Sequence, residues 1–132
     1  MTSTTTELSL DEIFNLAKAA LINNGANEEN ADAVATTVTN AERDGSVSHG
    51  LFRIPGYIKA LQSNKVDGSA KPEIEEVTPT IFRCDAQNGF APLAHKYGIK
   101  KLIEAANAFG IAGLAIKRCH HFAALWPEVE AI

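Results

Sequence analysis

Residues 80–117 read TIFRC-DAQNG-FA-PLAHKYGIKKLIEAANAF-G-IAGLAIK, and this stretch decides the fold. Thr80 to Cys84 is a short, partly β-branched run, as a strand requires. Asp85 to Gly89 has turn chemistry. From Pro92 to Phe109, Leu93, Tyr97, Leu102, Ile103 and Ala106 recur at helical spacing, and Gly110 supplies a stop. Ile111 to Lys117 is a continuous apolar run, which predicts a strand covered on both faces. Strand, helix and strand in this order predict a right-handed crossover unit. Ligands of open α/β sheets bind at the carboxyl ends of strands, here at Arg118 to Phe122.

Upstream, Ile74 to Val77 adds a second strand candidate on the other side of Pro79. Residues 62–72 are rich in turn formers and read as a connection. Before it lie three helical patterns. Ser9-Leu-Asp-Glu12 has the form of a capping box ahead of Ile13, Phe14, Leu16, Ala17, Ala20 and Leu21, with Gly25 as the stop. Asn27 caps a second helix, with Glu28 and Glu29 favouring its dipole and a stripe of small residues (Ala31, Val34, Ala35, Val38, Ala41) suited to a close helix contact. Leu51, Ile54, Ile58 and Leu61 predict a third helix, with Pro55 either in its first turn or kinking it. Ala123 to Ile132 begins another helix around Pro127. The expectation is an α/β (α+β) chain: a helical subdomain over 1–70, then over 71–132 the start of an α/β layer. With three strands and uncapped apolar residues at Leu125, Trp126, Val129 and Ile132, the chain reads as the front part of a longer protein.

The chain has 132 residues, is 45% hydrophobic and carries a net charge of −4. That fits one core and offers no broad basic surface for nucleic acid or an anionic membrane. Apolar runs are short and broken by charge, and the N-terminus lacks the basic and apolar regions of a secretory signal. Cys84 and Cys119 are too few for a disulfide scaffold, so the setting expected is cytoplasmic with reduced thiols. Cys119-His120-His121 raises the question of zinc, but adjacent histidines diverge and no second ligand pair is spaced to match, so no metal is expected. His95 reads as an exposed helix residue and Cys84 as inert core. No Gly-x-Gly-x-x-Gly follows a strand, so a dinucleotide would not be held by the ordinary fingerprint.

The chemistry concentrates in Asp44-Gly-Ser-Val-Ser48-His49-Gly-Leu-Phe-Arg53-Ile-Pro-Gly-Tyr57. A glycine-bounded turn presents Ser48 and His49. If the chain after Gly50 turns helically, Arg53 shares a face with His49. Histidine moves protons near neutral pH, and arginine grips a carboxylate with two parallel hydrogen bonds. Together they suit reduction of a small 2-oxo or 2-imino acid.

With Asp44 to Tyr57, Asp67-Gly68, Asp85 to Gly89 and His121-Phe122-Ala123-Ala124 in order, the chain resembles the type II malate/L-lactate dehydrogenase family, NAD(P)-dependent oxidoreductases without a Rossmann fold. Arg43 to Tyr57 and His120 to Glu130 resemble most the branch of Δ1-piperideine-2-carboxylate/Δ1-pyrroline-2-carboxylate reductases, which reduce cyclic imino acids with NADPH. The resemblance implies that His49 is the proton donor, Ser48 its relay partner and Arg53 the substrate-carboxylate contact. It implies that His121, Phe122, Ala123, Ala124 and Leu125 contact the cofactor, NADPH or alternatively NADH, and that the protein is a homodimer. It places the relay's aspartate and most of the cofactor site beyond Ile132. Malate, lactate or ureidoglycolate as substrate, and a truncated, catalytically inactive fragment, remain the alternatives.

Overall fold

A computed structural model of the chain describes residues 5–120 and 125–132. Three helices come first: α1 (Leu10–Ile22), α2 (Glu28–Arg43) and α3 (Ile54–Gln62). Their starts follow from local chemistry. Ser9 Oγ accepts from Glu12 N at 3.2 Å, and the Glu12 carboxylate returns to Ser9 N at 2.7 Å, completing the capping box. Asn27 Oδ1 accepts from Asn30 N at 3.0 Å to cap α2. The small residues of α2 do bring α1 close: Ala17, Leu21, Ala31, Ala35 and Val38 are fully buried between the helices. Tyr57, Ala60 and Leu61 of α3 close that core.

The third helix starts later than Leu51. Two 3₁₀ turns, Val47–His49 and Leu51–Arg53, precede it. Pro55 stands in the first turn of α3 as expected, because a proline there forfeits only an N–H that has no helical partner.

The second half is a three-stranded sheet, β1 (Glu73–Thr78), β2 (Ile81–Asp85) and β3 (Gly113–Lys117), in that spatial order. β1 and β2 form an antiparallel hairpin, and Thr78 Oγ1 accepts from Ile81 N at 3.1 Å in its turn. β2 and β3 pair in parallel, Ile81 with Gly113 through Asp85 with Lys117. Helix α4 (Ala91–Phe109) connects them and ends at Gly110, whose φ of 83° is left-handed and open to glycine.

The expectation that β3 is covered on both faces is wrong. α4 packs on one face, over Phe82, Cys84, Leu114 and Ile116, while Ile81, Arg83, Ala115 and Lys117 are exposed on the other. β3 is an edge strand, and it begins at Gly113 because Ile111, 76% exposed, belongs to the connection. α4 lies tight on β3: a methyl group at Gly98 would strike the Leu114 side chain.

The two halves share packing. Phe90, just before α4 and 1% exposed, inserts into the helical core and meets Tyr57 edge-on with ring centroids 5.6 Å apart. Asn30, fully buried on α2, donates to the Ala70 carbonyl at 2.9 Å. Asp67 N donates to Asn88 O at 2.9 Å. The last described helix is the short α5 (Trp126–Glu130), with Pro127 in its first turn, and the start expected at Ala123 lies outside the described residues. No helix among the described residues is long and apolar enough to cross a membrane.

Candidate active site

The Ser48-His49-Gly50 segment follows the end of α2. Gly45, with φ of 71°, turns the chain out of the helix, and Ser46 N bonds back to Ala41 O at 2.8 Å. Glu42, on the last turn of α2, folds its carboxylate over the turn, and Oε1 accepts from Leu51 N at 2.7 Å. That approach requires a glycine at position 50, because a Cβ there would run into the Glu42 carboxylate.

Ser48 holds both chemically important side chains. Its Oγ lies 2.9 Å from His49 Nδ1, and its carbonyl accepts from Arg53 Nε at 3.0 Å. Ser46 Oγ stands 3.3 Å from the same ring nitrogen. His49 and Arg53 stand on two separate 3₁₀ turns, so the expected helical i to i+4 pairing does not form. Each is tied to the preceding Ser48 instead. With Nε committed to a carbonyl, the Nη1/Nη2 end of the guanidinium is the fork left for a carboxylate.

Arg53 lines a small cleft with Gly56, Tyr57 and His120. Tyr57 is four residues beyond Arg53 on α3, and burial pushes its phenol up from the ordinary value. His120 comes from the other half of the molecule. Its N–H donates to Gly89 O at 2.8 Å, and its ring meets Phe90 edge-on at 6.1 Å. Burial, with Lys65 adding to it, holds the His120 imidazole below its usual pKa. The loop beneath is fastened by Asp85, which takes two bonds from Arg118 at 2.9 Å each, one from Gln87 N at 3.0 Å and an ion pair from Lys117 at 3.1 Å. The Arg118 guanidinium holds that carboxyl well below the usual carboxylate range.

His121, Phe122, Ala123 and Ala124 lie outside the described residues. Leu125, which follows them, is 70% exposed. Next to it, Trp126 lies edge-on to the His49 ring, with centroids 6.2 Å apart and planes at 72°. Trp126, just after the segment expected to touch a cofactor, thus stands beside the expected acid.

Other expectations resolve away from this site. Cys84 is buried, its Sγ donates to Ala94 O at 3.6 Å, and burial pushes its thiol up to about 11, so it is inert core. Cys119 packs against the same cluster. His95 is half-buried rather than exposed, because it lines a groove between α2, α4 and α5, and burial lowers its pKa. Among the described residues no group of three His, Cys, Asp or Glu is arranged to hold a metal ion.

Three contributors were not singled out from sequence. Glu42 carries no motif. Tyr57 had a usable signal, four helical positions from Arg53. Trp126 pairs with Asp44 across 82 residues, which no local pattern encodes.

Residues 8–132 match the family model described as malate/L-lactate dehydrogenase. The chain is 46% identical over 123 residues to a Delta(1)-pyrroline-2-carboxylate reductase of Ancylobacter novellus, covering 93% of this chain and 36% of that one. It is 45% identical over 126 residues to a Delta(1)-pyrroline-2-carboxylate/Delta(1)-piperideine-2-carboxylate reductase of Pseudomonas syringae pv. tomato, covering 96% and 37%. The crystal structure of delta1-piperideine-2-carboxylate reductase from P. syringae superposes with a TM-score of 0.92 at 45% identity, covering 96% of this chain and 38% of that one. A malate dehydrogenase structure from Entamoeba histolytica gives 0.86 at 29% identity, covering 95% and 35%. The chain spans little more than a third of the length of these relatives. With its α/β fold and nearly its whole length matched, the chain belongs to the malate/L-lactate dehydrogenase family.

Proposed function

We propose that this chain carries the acid and the carboxylate clamp of an NAD(P)H-dependent reductase of cyclic 2-imino carboxylates, Δ1-pyrroline-2-carboxylate and Δ1-piperideine-2-carboxylate. The observation that carries the reading is Ser48, whose hydroxyl fixes His49 and whose carbonyl fixes Arg53. Similarity to reductases so named at 45–46% identity supports the choice of substrate over malate or lactate.

Arg53 binds the substrate carboxylate through Nη1 and Nη2, which points the C=N bond back toward the turn. The protonated His49 ring donates from Nδ1 to Ser48 Oγ and holds its second proton on Nε2. That proton goes to the imine nitrogen, and the ring is left neutral with its hydrogen on Nδ1. A bound reduced nicotinamide supplies the hydride that the imine carbon takes up. Residues 121–125, which the resemblance assigns to the cofactor, would hold it. NADPH in preference to NADH, a homodimer and a cytoplasmic setting belong to the same reading; both cysteines are free thiols.

The test is a steady-state assay of the protein carrying this chain, with both cyclic imino acids, malate and lactate, and either nicotinamide. The imino acids with NADPH give the highest kcat/KM. His49→Ala lowers kcat by on the order of 10²-fold or more. Arg53→Lys, which keeps the charge and loses the fork, raises KM about tenfold. Unchanged turnover in His49→Ala removes the histidine from the reaction.

A further inference from the structure

Asp44 and Trp126 belong neither to the acid nor to the clamp, yet they bear on both. Trp126 Nε1 donates to Asp44 Oδ2 at 2.9 Å. The acceptor is itself oriented: Arg43 Nε donates to Asp44 Oδ1 at 2.7 Å and Nη2 to Oδ2 at 2.9 Å. Arg43 also reaches the Glu130 carboxylate of α5 at 3.3 Å. The arginine and these bonds hold the Asp44 carboxyl below its usual pKa. The indole so held is the one that meets the His49 ring edge-on.

The χ2 torsion of an imidazole has a broad well. Ser46 and Ser48 restrain it from the Nδ1 side only. A contact on the ring from a second direction narrows the well further. We propose that Asp44 and Trp126 are positioning residues for His49, the carboxylate–indole bond holding the tryptophan edge as a wall that keeps Nε2 turned toward the substrate. This rests on His49 being the acid.

Trp126 is the chain's single tryptophan, so tryptophan emission reports on its surroundings alone. A protonated imidazole quenches a neighbouring indole and a neutral one does not. The charged and titratable groups around the pair include Glu42 and Arg43 from the last turn of α2, Asp44 at its C-cap, Arg53 from the second 3₁₀ turn, Glu128 and Glu130 from α5, and His95, which lines the groove against α5; the His49→Gln control separates their effects from that of His49. On acid titration the emission of the 132-residue chain falls in a step, and His49→Gln abolishes it. Asp44→Leu reduces the step at least threefold, while Asp44→Asn, which keeps an oxygen acceptor, restores most of it. In the active protein Asp44→Leu lowers kcat about tenfold with KM within twofold, and Asp44→Asn recovers it. A full emission step in a folded Asp44→Leu chain, or its unchanged kcat, overturns the proposal. A lost step alongside unchanged turnover in His49→Ala also overturns it, and traces the failure to the acid assignment instead.

Discussion

The helical half, Leu10–Gln62, and the sheet half, Glu73–Lys117, are built on opposite plans. In the first, small side chains let α1 and α2 approach until Ala17, Leu21, Ala31 and Ala35 have no exposed surface, and α3 seals the remaining side. In the second, one helix covers one face of three strands, and Val77 and Ile81 stand open on the other. The difference shows where precision resides. His49, Ser48, Arg53 and Tyr57 all hang from the end of α2 or the start of α3, so the well-packed half sets their geometry. The sheet half contributes His120, delivered by the end of β3 and the Asp85–Arg118 loop.

Phe90 is where that comparison is most easily broken. It is anchored before α4, but its ring fills the helical core beneath Tyr57. Phe90→Ala lowers the free energy of unfolding by about 3–5 kcal/mol in chemical denaturation. A loss under about 1 kcal/mol would show that the halves stand alone, as a boundary near residue 70 suggests.

A second test concerns the joint between β2 and the residues after β3. The folded pKa of Asp85 lies below its unfolded value because Arg118, chiefly, bonds to the charged form. Its contribution is therefore fully present above the ordinary aspartate range, about pH 3.9, and is lost as pH falls through the lower folded value. Asp85→Asn removes that part of the acid dependence and frees Arg118, which sits at a φ of 51°. Thermal melts between pH 2 and 6 measure it; an unchanged acid limb would show the joint adds nothing.

Ser9→Ala, which strips the cap from α1, costs about 1 kcal/mol. Smallest is Ile81→Thr on the bare sheet face, within about 0.5 kcal/mol in the 132-residue chain. A larger loss there would mean that the face is covered in solution and would bring the two halves closer in kind.

The elements were legible where their signals are local. Ser9 with Glu12, Asn27 and Gly110 fixed helix ends because capping needs only a few neighbouring residues. The strand–helix–strand order over residues 80–117 was legible for the same reason, as was the parallel pairing it implies. The covering of β3 was not, because an apolar run of five to seven residues looks the same with one neighbour layer or two. In the candidate site, Ser48, His49 and Arg53 stood out through their side-chain chemistry. How they meet did not, since the helical rule offered an i to i+4 pairing and the turn substituted a shared serine. The Trp126–Asp44 bond joins residues 82 apart in sequence and exists only in the folded state.

The carboxylate of Glu42 and the bare α-carbon of residue 50 occupy adjoining space and serve one backbone N–H. The two positions are thus interlocked: an alanine at 50 evicts the glutamate, and a shortened side chain at 42 strands the amide of Leu51. Either change alone lets the histidine's backbone drift from the end of the helix, while the hydroxyl and guanidinium partners drift with it. The reach of one acidic side chain on α2 therefore sets the registry of a reaction in which it takes no proton.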